Sequence, residues 1–145
     1  MIDVKIKRLS ESATLPTYGS KKAAAMDLYA NCPNGLAILP HETVKIGTGF
    51  AIQPPEGYCA LILARSGLAT KQGLAPANKV GLCDEDYRGE YIVALHNHSV
   101  EVKFVQHGDR IAQLMFVPYE QANLIEVEEL DETERGSGGF GSTGK

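Results

Sequence analysis

The sequence predicts an all-β domain, a sandwich or barrel with one short helix and a flexible C-terminal tail. Three observations predict it. Apolar residues recur at every second position over short stretches, two stretches are apolar throughout, and Gly or Pro interrupts the chain at short intervals. A chain of 145 residues makes one domain, which buries roughly two-thirds of its unfolded surface.

Taken in order, Ile2, Val4 and Ile6 alternate with Asp3, Lys5 and Lys7. Val44, Ile46, Thr48, Phe50 and Ile52 line one face of the next strand. Tyr58–Ala64 is apolar throughout, the pattern of a strand buried on both faces. Ser66–Gln72 is the helix candidate, with Ser66 as its cap and Gly73 as its end. Tyr91, Val93 and Leu95 alternate with Ile92, Ala94 and His96, and Val100, Val102 and Phe104 with Glu101 and Lys103. Ile111–Val117 repeats the doubly buried pattern, and Ile125 and Val127 alternate with Glu126 and Glu128. Residues 1–128 read as the domain, and 129–145 as an acidic linker and Gly-rich tail.

Charge narrows the function. The net charge of −4 gives no electrostatic case for nucleic-acid or anionic-membrane binding. No apolar run is long enough to cross a membrane as a helix. The alternating, charged N-terminus is unlike a signal peptide. Cys32, Cys59 and Cys83 are odd in number and unpaired in spacing, which points to reduced thiols and a cytoplasmic protein.

Four polar stretches could carry chemistry. In the turn from Val80 to Glu90, Asp84 and Asp86 share a face of an extended chain, and one could orient a water; the same residues also suit a surface hairpin. Tyr87 beside them could wall a ring or sugar, or simply pack. Arg65 and Ser66 stand where a strand meets a helix N-terminus, a natural anion site, although plain capping explains them equally. Asp27 is a lone carboxylate in an apolar segment and needs a partner, either a metal-bound water or an Arg. Asp109, Arg110 and Gln113 begin a buried strand, with local hydrogen bonding as the alternative role. His96 and His98 lack a Cys or Glu at ligand spacing and read as surface or interface histidines. No nucleophile motif is present, so a water nucleophile is favoured over covalent catalysis.

The tail, Gly136–Lys145, holds five glycines with Ser137, Ser142 and Thr143 between them and Arg135 before them. Bare backbone N–H groups and hydroxyls suit phosphate oxygens. Gly139–Lys145 spells G-x-x-x-x-G-K, yet no helix follows, so it is no ordinary P-loop. It reads as a lid, or as a solubilising terminus. Fixing ten residues costs on the order of 10–20 kcal/mol, and burying Phe140 returns about 2 kcal/mol. A ligand is needed to order it.

Ala24–Ala30, Arg65–Ala69, Asn78–Glu90, Gly108–Leu114 and Arg135–Gly144 together resemble the five ordered motifs of the trimeric dUTPases. The resemblance runs from about Gly19 to the C-terminus. It implies a jelly-roll-like β-barrel of the dUTPase (β-clip) type. It also implies a homotrimer with sites at subunit interfaces, and Mg2+-dependent cleavage of dUTP to dUMP and pyrophosphate. That reaction lowers dUTP and supplies dUMP for thymidylate synthesis. Asp84 would be the base. Asn78 and the backbone of Gly81, Leu82 and Cys83 would line the uracil pocket, and Tyr87 would pack under the deoxyribose and exclude a 2′-hydroxyl. Arg65, Ser66, Gly67 and Gln113 would bind phosphates, and Asp27 would hold a metal-bound water. Arg135 and the tail, Gly141, Ser142 and Thr143 included, would reach the terminal phosphates. Phe140 would cover the uracil, and the tail would serve another subunit's site. Two departures stand out: Cys83 replaces a usually aliphatic residue, and Met26 follows Ala25 where the family often has a Gly nearby. A dCTP deaminase of the same fold, or a trimeric interaction protein that binds nucleotide without turnover, are the competing readings. The Phe-containing tail favours the dUTPase.

Overall fold

Among residues 1–139, which the computed structural model describes, the chain forms eleven strands and one helix. The strands are β1 (Lys5–Arg8), β2 (Thr17–Tyr18), β3 (Met26–Tyr29), β4 (Leu36–Ile38), β5 (Thr43–Gln53) and β6 (Tyr58–Leu63). After α1 (Ser66–Gln72) come β7 (Leu74–Pro76), β8 (Val80–Cys83), β9 (Glu90–Asn97), β10 (Lys103–Val105) and β11 (Arg110–Pro118). One sheet runs β1-β5-β9-β7, a second β2-β3-β11-β6-β8, and β10-β4 forms a third. Every pairing is antiparallel. The arrangement is jelly-roll-like, with sheets that do not close into one continuous barrel. Leu28, Ile38, Ile46, Phe50, Tyr91, Val93, Leu95, Ile111 and Leu114 are buried between the sheets. Ile46 and Phe50, and Tyr91, Val93 and Leu95, are the inward positions of the two alternating segments, as period two requires.

A bulge shapes the long strand. Its register against β9 slips between Gly47 and Ala51. Gly49 there has φ 74°, and a Cβ would stand 2.6 Å from both Ala13 Cβ and Asn31 Nδ2, so only glycine fits. The freed Gly49 N–H donates to Glu90 Oε1 at 2.7 Å. The bulge thereby anchors the start of β9, which follows the polar turn.

Four expectations are revised. The helix spans Ser66–Gln72, but Arg65 holds the N-cap position in extended conformation and no side chain caps it. Ser66 is the first helical residue. Gly73, at φ 70°, ends the helix as expected. Val100 and Val102 lie outside any strand and are exposed; only Lys103–Val105 pairs. Ile125 and Val127 form no strand, because alternation fixes a face but a strand needs an edge to pair with. The doubly apolar strands have one well-buried face and one half-covered face: Ala60 and Ile62 are buried, while Leu61 and Leu63 are partly open. No helix among the described residues is long and apolar enough to cross a membrane.

Candidate active site

The polar motifs gather at the two ends of β6. At the first end, β3 and β11 pair so that Asp27 faces Gln113, and Gln113 also faces Leu63. Asp27 is only 6% exposed. Its Oδ1 accepts from Arg65 Nε at 2.8 Å and its Oδ2 from Arg110 Nη1 at 3.2 Å. Arg65 Nη1 donates in turn to the Arg110 carbonyl at 3.2 Å. Of the two partners open to Asp27, the structure supplies arginine, twice over. Two guanidinium groups face the Asp27 carboxylate here, and Asp109 lines the adjoining groove with Arg65 and Arg110. Ser66 and Gly67 follow, exposed at the helix start, where backbone N–H groups lack helical acceptors. Arg110 escaped selection as a site residue; a buried carboxylate wanting more than one donor was the signal that could have found it.

At the second end, β8 lies beside β6 with Leu63 opposite Val80 and Ala60 opposite Cys83. Asn78, Gly81, Leu82, Cys83, Asp84 and Tyr87 line one cavity of about 220 Å³, together with Ile62, Glu90, Tyr91 and Ile92. Local backbone geometry builds it. Lys79 has φ 63°, and Val80 N–H donates to the Asn78 carbonyl at 2.6 Å, a tight three-residue turn of a kind that marks functional sites. A Cβ on Gly81 would come 3.1 Å from Asn78 Nδ2 and from Ile62 Cβ, so glycine keeps the cavity open. Tyr87 Oη donates to the Glu90 carbonyl at 3.0 Å, folding its ring over Gly89, where a Cβ would stand 2.4 Å from that oxygen. Asp84 begins the turn, closed by Tyr87 N–H to the Asp84 carbonyl at 3.2 Å. Its carboxylate is exposed and hydrogen-bonds to no described residue. A second cavity, about 520 Å³, opens on its other side between Cys59, Leu82, Glu85, Asp86, Tyr119 and Gln121.

Tyr91 and Cys83 form the inner wall. Tyr91 Oη is the only buried side-chain polar atom without a partner among the described residues. Burial, with Cys83 next in importance, holds its phenol well above the ordinary value. Burial first, and the Asp84 charge second, push the Cys83 thiol up as well. A neutral thiol here serves as a small apolar residue.

The two ends are separate within one chain. Asp84 follows Cys83, which faces Ala60; Arg65 lies beyond Leu63. The strand between Cys59 and Leu63 covers roughly 13 Å on its own. Arg135, whose Nε donates to the Gly138 carbonyl at 2.8 Å, is exposed and joins neither end. Phe140, Gly141, Ser142 and Thr143 lie outside the described residues. His96 and His98 stack edge to face at 4.4 Å, with Thr43 Oγ1 on His96 Nδ1 at 2.8 Å. Among the described residues no three His, Cys, Asp or Glu side chains gather to hold a metal ion. Each Asp27 oxygen keeps a lone pair beyond its arginine bond, enough to accept from a metal-bound water.

The model of the dUTPase family matches residues 11–144. The deoxyuridine 5'-triphosphate nucleotidohydrolase of Nautilia profundicola is 49% identical over 142 residues, covering 98% of this chain and 99% of that protein. That of Desulfitobacterium hafniense is 48% identical over 149 residues, covering 99% of each. Among solved structures, a Staphylococcus bacteriophage 80alpha dUTPase with dUpNHpp superposes with a TM-score of 0.92 at 27% identity, over 100% of both chains. A variant dUTPase of phage phi11 of S. aureus, whose structure concerns the coordination of a structural Mg(II) ion, gives 0.83 at 25% identity, over 90% of this chain and 100% of that one. With nearly half its residues shared along the full length of such proteins, and with its polar motifs in the places described, the chain belongs to the dUTPase family.

Proposed function

We propose that this chain hydrolyses dUTP to dUMP and pyrophosphate, with Asp84 as the base. One observation carries the assignment of roles: Asp84 is an exposed, unpartnered carboxylate at the edge of a small cavity built by Asn78, Gly81 and Tyr87. Uracil sits against Asn78 and the backbone of Gly81, Leu82 and Cys83, whose N–H and C=O groups read its edge. Tyr87 lies under the deoxyribose and fills the space a 2′-hydroxyl needs. Asp84 takes a proton from a water as that water's oxygen bonds to the α-phosphorus. The bridging P–O bond to the β-phosphate breaks, and pyrophosphate leaves. A carboxylate is a weak base, so its contribution is positional. Arg65, Ser66, Gly67 and Gln113 hold the phosphates, and Arg135 with Gly141, Ser142 and Thr143 closes over them while Phe140 covers the base. Mg2+, which Asp27 would hold through a water, would supply neutralising charge to the phosphates. In this reading residues 1–128 are the domain and 129–145 the linker and covering tail.

The assembly is a homotrimer that shares its sites. The separation of Asp84 from Arg65 along β6 supports this, since another copy could bring its own Arg65 end to the Asp84 of the first. Leu124, Ile125, Val127 and Leu130 are also exposed on the segment after β11, a row of apolar side chains that another copy would cover. A pyrophosphate-release assay across the deoxynucleoside triphosphates and UTP tests the function. Release from dUTP with Mg2+ and little from the others is expected. Ammonia release from dCTP would instead place the chain with the deaminases.

A further inference from the structure

Asp84 has no side-chain partner among the described residues, so the turn that carries it is held by other contacts. The turn's own bonds are short-range: Tyr87 N–H to the Asp84 carbonyl, and the Arg88 guanidinium to the carbonyls of Glu85 and Tyr87. Between Asp84 and Gly89, Glu85 alone among the described residues hydrogen-bonds beyond the turn through its side chain. Its Oε2 accepts from Gly57 N–H at 2.7 Å and from Tyr119 Oη at 2.9 Å. Gly57 precedes β6 and Tyr119 follows β11, and Tyr119 N–H donates to the Gly57 carbonyl at 3.1 Å. The three residues close a ring of hydrogen bonds, partly shielded at Gly57 and exposed at Tyr119, and Glu85 and Tyr119 line the same cavity as Asp84. Two bonds to one ionised oxygen are stronger than their neutral counterparts.

We infer that Glu85 and Tyr119 are positioning residues for Asp84: the Glu85–Gly57–Tyr119 ring fixes the angle at which the turn presents the Asp84 carboxylate to the attacking water. The inference rests on the reading of Asp84 as the base. It concerns turnover rather than substrate affinity, because neither residue borders the base cavity or the Arg65 end. An error of about 1 Å in placing a catalytic group can cost as much as 10²-fold.

Four variants decide it, each assayed as the full chain with dUTP and Mg2+. Glu85→Ala should lower kcat by about 10–100-fold with KM within about twofold of wild type. Glu85→Gln, whose amide oxygen still accepts both bonds, should recover most of that loss. Tyr119→Phe removes one exposed hydroxyl, leaves the fold intact, and should lower kcat by a few-fold. Combined with Glu85→Ala it should add nothing, because both act through one ring. Asp84→Asn runs beside them. If Asp84→Asn is inactive while Glu85→Ala and Tyr119→Phe turn over like wild type, or raise KM alone, the positioning role is overturned and the base assignment stands. If Asp84→Asn turns over normally, the base assignment fails and this inference with it. Should Glu85→Ala not fold, an undiminished kcat in Tyr119→Phe overturns the role by itself.

Discussion

The two ends of β6 solve opposite problems with the same residue type. At one end Asp27 is buried, and both its oxygens are bound by arginines. At the other, Asp84 is exposed, and its oxygens are bound by nothing among the described residues. A carboxylate that is buried and bound at both oxygens organises cations; one that is open and wet is free to take a proton. Charge alone does not distinguish them, since both are aspartates flanked by apolar strands. The number of donors each one meets does.

The sharpest way to break this comparison is to neutralise each aspartate in turn. Asp84→Asn should lower turnover by roughly 10²–10⁴ and leave thermal unfolding unchanged. Steady-state rates and calorimetry on one preparation check both halves, and an active Asp84→Asn removes the distinction. A mixing experiment comes next. Asp84→Asn and Arg65→Ala chains, each inactive alone, should regain about a quarter of wild-type activity when unfolded and refolded together in equal amounts, if each site draws the two residues from different copies of a closed ring. No recovery means that one chain supplies both. Asp27→Asn should instead act on stability. It removes a buried carboxylate from two partly exposed arginines, and an unfolding loss of about 1–3 kcal/mol is expected in urea, less than for a fully buried ion pair. A smaller loss than in Asp84→Asn would invert the comparison.

The smallest effect lies in pH. Burial holds the Tyr91 phenol above its ordinary value, and the bond to Glu85 followed by burial does the same for Tyr119. The folded chain then keeps protons that the unfolded chain releases first. That stability is complete below the ordinary tyrosine value of about 10 and is lost as pH rises past it toward the folded values. Wild type should lose stability progressively above about pH 10, and Tyr119→Phe should lose slightly less. Unfolding midpoints measured across that range check the sign.

Much of this was legible in residues. The alternation in Val44–Ile52 and Tyr91–Leu95 depends on one face being buried, so it survives into the structure. The helix span follows from Gly73, which ends it by backbone geometry. Ser66 is the residue type that caps best, but the chain stays extended through Arg65, whose side chain binds Asp27, so Ser66 falls one position inside the helix. Ile125 and Val127 misled for a different reason: their pattern states a need for a covered face but cannot state whose. Arg110 was visible as a residue and not as a partner, because Asp27 is far away in sequence. The Glu85 ring left no trace in the pattern at all. It joins three turns, and turns carry no periodicity.

The arginine that completes the Asp27 end also sets a timetable. Asp27 meets Arg65 across 38 residues and Arg110 across 83, whereas the walls of the base cavity apart from Ile62 come from one short stretch between Asn78 and Ile92. A growing chain can therefore shape the base cavity once β6 and β9 exist. The Asp27 end waits until β11 has left the ribosome, and closing so long a loop is slow. Because β11 lies between β3 and β6, neither arginine is held beside Asp27 until it docks. The last strand to arrive is thus the one that brings both cations to the carboxylate.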